Sequence, residues 1–274
     1  MTENQASAGM TPLAKQPSIA RTYDGFLKGK EHYLDEDAVV DELLGILPQL
    51  QKAALANAAF VPRAIHAASE HGVRQFLNLG CGLPSTTGST TLEIARQFQD
   101  DPRVVYVDSD RQVAVHGRAL LEAEDSAIMV EADVRDSDVV LAEASRLVDF
   151  DLPVAVIAAA IAHFWTDQDD PGAVLRRYVD RCSAGGFVIF THARGDLLPR
   201  DLLGEGVAAY AKIAAIYPRS IEAIAGFLDG FELLEPGLVE ASQWRPRHEV
   251  KDEVGPAHFL AAVARFGPAP AEGR

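Results

Sequence analysis

Apolar residues along this chain come in short bursts, each followed by a stretch with helical spacing. VRQFLNLG (73–80) is an apolar run ending in glycine, and TLEIARQF (91–98) behind it has the 3.6-residue period of a helix. The same alternation repeats four times. RVVYVDSD (103–110), AIMVEADVRD (127–136), PVAVIAAAIA (153–162) and GGFVIFTHA (185–193) predict strands, the first three followed by helices at 111–123, 137–147 and 171–183 in turn. Five such units predict a parallel sheet covered on both faces. Beyond residue 220 the rhythm changes. SIEAIAGFL (220–228) predicts a helix, and 231–244 and 258–266 predict two strands with no helix between them, a terminal antiparallel pair on a seven-stranded α/β sheet.

Ahead of the sheet, residues 1–17 are small and polar and predict a disordered tail. Residues 18–72 form a helical segment of their own, and 73–268 the sheet domain. Within the helical segment, Gly25 and Gly29 argue against one continuous helix over 18–37. Val39, Leu43, Leu44 and Leu47 mark a helix that Pro48 interrupts, with a second piece running through Pro62 to about residue 70.

Composition narrows the function classes. The net charge is −15 with Lys and Arg scattered, which disfavours a phosphate backbone as partner. No stretch approaches the roughly 18 apolar residues of a membrane span, and the N-terminus has no secretory pattern. Two cysteines, Cys81 and Cys182, fit a reduced cytoplasmic protein, although one long-range disulfide is also conceivable.

The chemistry concentrates at strand ends. Asn78-Leu79-Gly80-Cys81-Gly82 closes the first strand, where open α/β sheets bind ligands. A dinucleotide loop needs a third glycine, but Ser85 stands there; a P-loop needs a lysine, and GLPSTTGST has none. The loop therefore suits a ligand approached closely by backbone but lacking a pyrophosphate. The second strand ends in Val107-Asp108-Ser109-Asp110, where a carboxylate either accepts both hydroxyls of a ribose or caps the next helix. Asp108 lies 28 residues after Gly80, beyond the ~20 usual for nucleotide-binding units, and the Pro/Ser/Thr/Gly loop 84–90 accounts for the excess. At the third strand's end, Asp133 could accept from an adenine amino group while Val134 packs on the ring.

Taken in order, SIARTYDGFLKGKEHY, QFLNLGCGLPS, RVVYVDSD, EADVRD, IAHFWTDQDDP and LLEPGLVEASQWRP resemble the segments of an actinobacterial family of S-adenosyl methyltransferases, long described as a domain of unknown function. The resemblance spans roughly residues 17–266. It implies the class I (Rossmann-like) methyltransferase fold and S-adenosylmethionine (SAM) as cofactor, with Gly80, Gly82, Asp108 and Asp133 at its binding positions; beside them Asn78, Cys81, Ser109, Val134 and Ala160 are expected cofactor contacts. It also implies a lid carrying Arg21, Tyr23 and Asp24 folded over the cofactor site; Tyr23 is an expected cofactor contact there, and Arg21, whose guanidinium can fork onto a carboxylate, is the expected partner for that of SAM. The chain departs from the family pattern in three places. Asn78 replaces an acid, Lys28-Gly29 replaces two glycines, and only Glu93 remains of an Asn-x-His-Glu motif.

Methyl transfer relies on proximity, and a base is needed only where the nucleophile must lose a proton. His163 after the fourth strand, His192 ending the fifth, and Tyr23 in the lid are the candidates. Each also fits a packing or capping role. Asp167, Asp169 and Asp170 before Pro171 read as an acidic helix start, so no metal is expected. Cys81 reads as a small packing residue, and Trp244-Arg245-Pro246 as a structural strand end. The expected reaction is methylation of an O or N atom of a small-molecule acceptor. The alternatives are a SAM-binding sensor without turnover and an NAD-dependent oxidoreductase.

Overall fold

The computed structural model describes residues 18–83, 89–121, 123–248, 255 and 258–267; the expected tail 1–17 and most of the 84–90 loop lie outside them. Three helices come first: α1 (Ile19–Phe26), α2 (Leu34–Ile46) and α3 (Leu50–Glu70). Ser18 caps α1 by accepting from the Arg21 N–H, and the break between α2 and α3 falls at Pro48, as the sequence predicts. Pro62 sits inside α3 without ending it, although proline removes one ladder hydrogen bond.

The alternating section follows as β1 (Gln75–Leu79), α4 (Thr91–Ala95), β2 (Arg103–Asp108), α5 (Arg111–Leu120), β3 (Ala127–Glu131), α6 (Ser137–Ala144), β4 (Val154–Ala159), α7 (Pro171–Val179) and β5 (Gly186–Ala193). The closing elements are α8 (Arg200–Tyr210), α9 (Ile221–Gly226), β6 (Glu232–Leu233), β7 (Val239–Glu240) and β8 (Phe259–Phe266). The sheet order is β3-β2-β1-β4-β5-β8-β6, with β7 also on β8. The first five strands are parallel, and β8 runs antiparallel to β5. The sheet therefore has eight strands where seven were expected. Pro236, which has no N–H, and Gly237 at φ +85° interrupt the predicted 231–244 strand, so it pairs with β8 as two short pieces. Helix α8 was not predicted, because Gly204 and Gly206 dilute its helical signal.

Side chains alternate across the pleat into two apolar layers. Leu77, Val105, Val156, Val188 and Ala262 face α6, α7 and α9. Phe76, Val104, Ala155, Ile189 and Val263 face α3 and α4, where Phe60 meets the fully buried Trp244 edge-on at 5.3 Å. Trp244 is thus a core residue. The C-terminal half of α3 belongs to this sheet layer, while α1, α2 and the start of α3 join α8 in a third cluster above the strand ends, built on Phe26, Leu43, Ala54 and Tyr210. No helix among the described residues is long and apolar enough to cross a membrane.

Candidate functional site

Strand order reverses at β1, which lies between β2 and β4, and a crevice at such a point is where open sheets bind ligands. A cavity of about 860 Å³ opens there, in the upper part of the about 300–1,000 Å³ range of ligand pockets. Its floor is the glycine loop and the ends of β2 and β4. Its roof is α1, the start of α3, and α8.

The two loop glycines serve different ends. Both take positive φ, +65° at Gly80 and +62° at Gly82. A Cβ at Gly80 would lie 2.6 Å from Ile161, so this glycine lets β1 pack against the segment after β4. Around Gly82 a Cβ would meet no described atom within 4 Å, which leaves its backbone open to a ligand. Asp108 ties the loop to β2: its Oδ2 accepts from the Gly82 N–H and its Oδ1 from the Asp110 N–H, both at 2.9 Å. Burial raises the carboxyl above its ordinary range. Each oxygen keeps a second lone pair, so the ribose-binding and loop-holding roles are compatible. Asp110, not Asp108, caps α5, accepting from Gln112 N at 2.8 Å.

Asn78 donates to Thr91 Oγ1 at 3.1 Å, leaving its amide oxygen as the group not engaged. Glu93 is accounted for structurally: it closes a capping box with Thr90 at the start of α4. Burial, and then Asp108, push the Cys81 thiol well up, so it stays protonated and unreactive. Cys81 and Cys182 are both free.

At the other side of the floor Ala160 holds φ +54° and donates its N–H to Thr191 Oγ1 at 2.8 Å. The bent segment behind it brings His163 onto the cavity wall. Only 3% of His163 is exposed, its Nδ1 is buried without a partner, and among the described residues its Nε2 makes no hydrogen bond. Burial, with His192 and Arg219 as further causes, holds its imidazole well below 6.5, hence neutral. His192 does not line the cavity. Its Nδ1 faces the Ala193 carbonyl at 2.8 Å and its Nε2 faces Arg219 Nη1 at 3.1 Å, which fixes the Nδ1–H tautomer and occupies both nitrogens. Burial lowers it to about 4. The expectation of a base at His192 is therefore corrected: it is a core histidine under His163, their rings 5.6 Å apart and edge-on.

Sequence reasoning missed Arg219, the residue that organises this corner. Its guanidinium donates to the Trp165 carbonyl at 2.7 Å, to Asp167 Oδ1 at 2.8 Å, and to His192. A single arginine far from any motif carries no sequence signal for such a role. The acidic run beside it does what was expected of it, Asp170 capping α7 through the Ala173 N–H at 3.0 Å.

In the roof, Tyr23 lines the cavity. Its hydroxyl accepts from Asn57 Nδ2 at 2.7 Å and donates to the Ala54 carbonyl at 3.2 Å, and burial pushes it up to about 12. A phenol so placed stays protonated, which removes it as a base. Arg21 is not on the cavity wall: it is buried, with Nε 2.7 Å from Glu36 Oε1 and Nη1 on Gln112 of α5. It fastens the roof to the sheet domain, which corrects its assignment to a ligand carboxylate. Asp24 is buried and accepts from the Glu31 N–H, with His32 Nδ1 at 2.8 Å. Asp133 and Val134 also stand outside the wall. Arg135 clasps the Asp133 carboxylate, with Nη2 at 2.6 Å, and holds it below the usual range. Val134 packs in the core, its carbonyl accepting from Tyr178.

Residues 8–267 match the model of a family described as S-adenosyl methyltransferase. Among solved structures, a candidate methyltransferase from Thermobifida fusca YX superposes with a TM-score of 0.84 at 31% identity, covering 92% of this chain and 96% of that one. A DUF574 family protein from Streptomyces avermitilis superposes with a TM-score of 0.83 at 30% identity, covering 91% and 97%. No curated protein matches the chain.

Proposed function

The chain belongs to the S-adenosyl methyltransferase family and is a SAM-dependent methyltransferase; from that premise we propose that it methylates an oxygen or nitrogen atom of a small-molecule acceptor held under α1, α3 and α8. One observation carries the reading. The open Gly82 backbone, the Asp108 carboxylate and the buried His163 share a single cavity with an apolar helical roof. Bound there, SAM supplies a methyl group on a positively charged sulfur.

The residues present suit such a ligand. Asp108 accepts the ribose hydroxyls, Gly80, Cys81, Gly82 and Ser109 line the adenosyl end, and the unengaged amide oxygen of Asn78 receives the amino group. Ala160 borders the reacting end. His163 lines the cavity there with a ring nitrogen to offer, and His258 lines it as well. The roof excludes water, so orientation contributes much of the rate. A net charge of −15 and apolar walls support a small molecule over a nucleic acid. Two free cysteines support a reducing, cytoplasmic setting.

Calorimetric titration with SAM, S-adenosylhomocysteine and NAD tests the cofactor site. Asp108→Asn removes charge-assisted hydrogen bonds of about 1.5–3 kcal/mol each, so both sulfur ligands should bind at least about ten-fold more weakly. Binding of NAD instead, or unchanged SAM affinity in the variant, overturns the assignment.

A further inference from the structure

Among the described residues two histidines line the cavity, His163 and His258, and their rings are held differently. At His163 the Nδ1 is buried without a partner, so nothing fixes which nitrogen carries the hydrogen, and nothing beside Nδ1 shares the charge once the ring is protonated. His258 has both supports. It is buried immediately before β8, with Nδ1 2.7 Å from the Gly255 carbonyl. A carbonyl only accepts, so Nδ1 carries the hydrogen and Nε2 keeps its lone pair. Among the described residues that Nε2 makes no hydrogen bond. Glu240 of β7 places its Oε2 4.0 Å from the same Nδ1, and its Oε1 accepts from the Ser242 hydroxyl. A carboxylate on that side of the ring stabilises the cation that proton uptake at Nε2 creates.

His258 also stands at the reacting end. Its carbonyl accepts from the Arg194 N–H at 3.0 Å, just past β5. The ring of the next residue, Phe259, is 5.7 Å from that of His163, which follows Ala160 after β4. The other charged side chains on the lining are disposed around this corner. Arg194 is forked onto Asp196 at 2.6 and 3.0 Å, and Arg247 is exposed near Arg63. Asp24 lies in the roof, and Asp108 and Asp110 lie at the glycine loop, each already accepting a backbone N–H. Glu240 is the carboxylate that stands against the His258 ring.

We propose that His258 is the base of the transfer: its Nε2 takes the proton of the acceptor's O–H or N–H, with Gly255 and Glu240 positioning the ring. The inference rests on the O- or N-methylation reading above and names the residue that serves it. A lone pair of the acceptor atom forms the new bond to the methyl carbon as the carbon–sulfur bond breaks and its electron pair stays on sulfur. The acceptor's proton goes to His258 Nε2, the imidazolium is held between the Gly255 carbonyl and the Glu240 carboxylate, and the proton then passes to water. His163, kept neutral by burial, is a wall residue in this scheme.

The test uses the full chain with isotope-labelled histidine, read by nitrogen NMR, the His258 signals being those lost in His258→Gln. The neutral ring should carry its hydrogen on Nδ1 and leave Nε2 bare. SAM brings a sulfonium that S-adenosylhomocysteine lacks, so with SAM bound His258 should hold its proton about three- to ten-fold more weakly than with S-adenosylhomocysteine. Glu240→Gln should weaken that hold at least about five-fold, which a carboxylate serving only the fold would not do. With SAM and phenol as a small O–H probe, His258→Gln should lower the release of anisole about 100-fold or more while S-adenosylhomocysteine binds as before. A hydrogen on Nε2, the same hold on the proton with both ligands, or phenol turnover by His258→Gln as fast as the wild type would overturn the proposal. If the wild type leaves phenol untouched, the tautomer and the comparison of the two ligands decide. If S-adenosylhomocysteine fails to bind, the cofactor assignment fails, and the tautomer and Glu240→Gln on the free chain still decide whether the ring is set up as a base.

Discussion

Lowering the pH from about 7.5 to about 5 asks two imidazoles to take up protons where the fold has no place for the charge. His192 is held at about 4, chiefly by burial, and His163 lies well below 6.5 for the same reason, with His192 and Arg219 adding to it. In the unfolded chain both titrate near 6.5, so between 6.5 and the depressed value the unfolded state binds more protons and stability falls with pH. The contribution of His192 is complete above pH 6.5, declines as pH drops, and is fully lost at about 4. At about pH 5 His192 has forfeited roughly 1.5 units at 1.36 kcal/mol per unit, about 2 kcal/mol, and His163 shifts stability in the same direction. That is a large part of the about 5–15 kcal/mol that holds a typical domain folded. Asp108, whose carboxyl is raised by burial, acts in the opposite sense as it takes up its proton. Urea denaturation followed by the fluorescence of buried Trp165 and Trp244 measures it. The control is a double variant, His163→Phe with His192→Gln, whose amide can donate to Ala193 O and accept from Arg219. Its profile should be nearly flat over the same range. A wild-type loss under about 1 kcal/mol, or an equal loss in the double variant, refutes the reasoning.

Arg219→Leu should destabilise the fold by about 2–6 kcal/mol, because the Trp165 carbonyl and His192 Nε2 each lose a buried donor worth about 1–3 kcal/mol, whereas Asp167, 92% exposed, adds little. Chemical denaturation reads this directly, and Arg219→Lys should rescue little, since one ammonium cannot span the three partners. Lys28 holds φ +59°, so Lys28→Gly should raise the melting temperature by relieving about 1 kcal/mol of left-handed strain. Its neighbour behaves oppositely: Gly29→Ala puts a methyl group against Asp24 and should cost about 1–3 kcal/mol, read in the same melts.

The strand ladder was legible because a buried parallel sheet needs apolar runs, and 73–80, 103–110, 153–162 and 185–193 have no competing helical period. Asp108 and the glycine loop were legible for a local reason, the sharp end of a strand. What failed was long-range. Nothing in the spacing of Arg21 shows that Glu36 and Gln112 will enclose it, and Asp133 was read without weighing Arg135 two residues away. Helix α8 escaped notice because Gly206 serves packing instead of propensity; a Cβ there would stand 3.0 Å from Leu47 of α2's end. Asn57 gave no signal at all, being one polar residue in an Ala-rich helix whose partner, Tyr23, lies 34 positions earlier.

The division between floor and roof has an evolutionary side. The floor is made by turns inside the repeating strand–helix units, where a change of length or angle disturbs the whole sheet. The roof of the cavity is built from α1, the start of α3 and α8, with α2 packed on them, and these helices add no strand to the sheet. Selection can therefore recut the roof, exchanging Leu43 or Val207 for larger or smaller neighbours, while the capture of the methyl donor stays as it is. One scaffold can thus be passed among many acceptors at the expense of its roof alone.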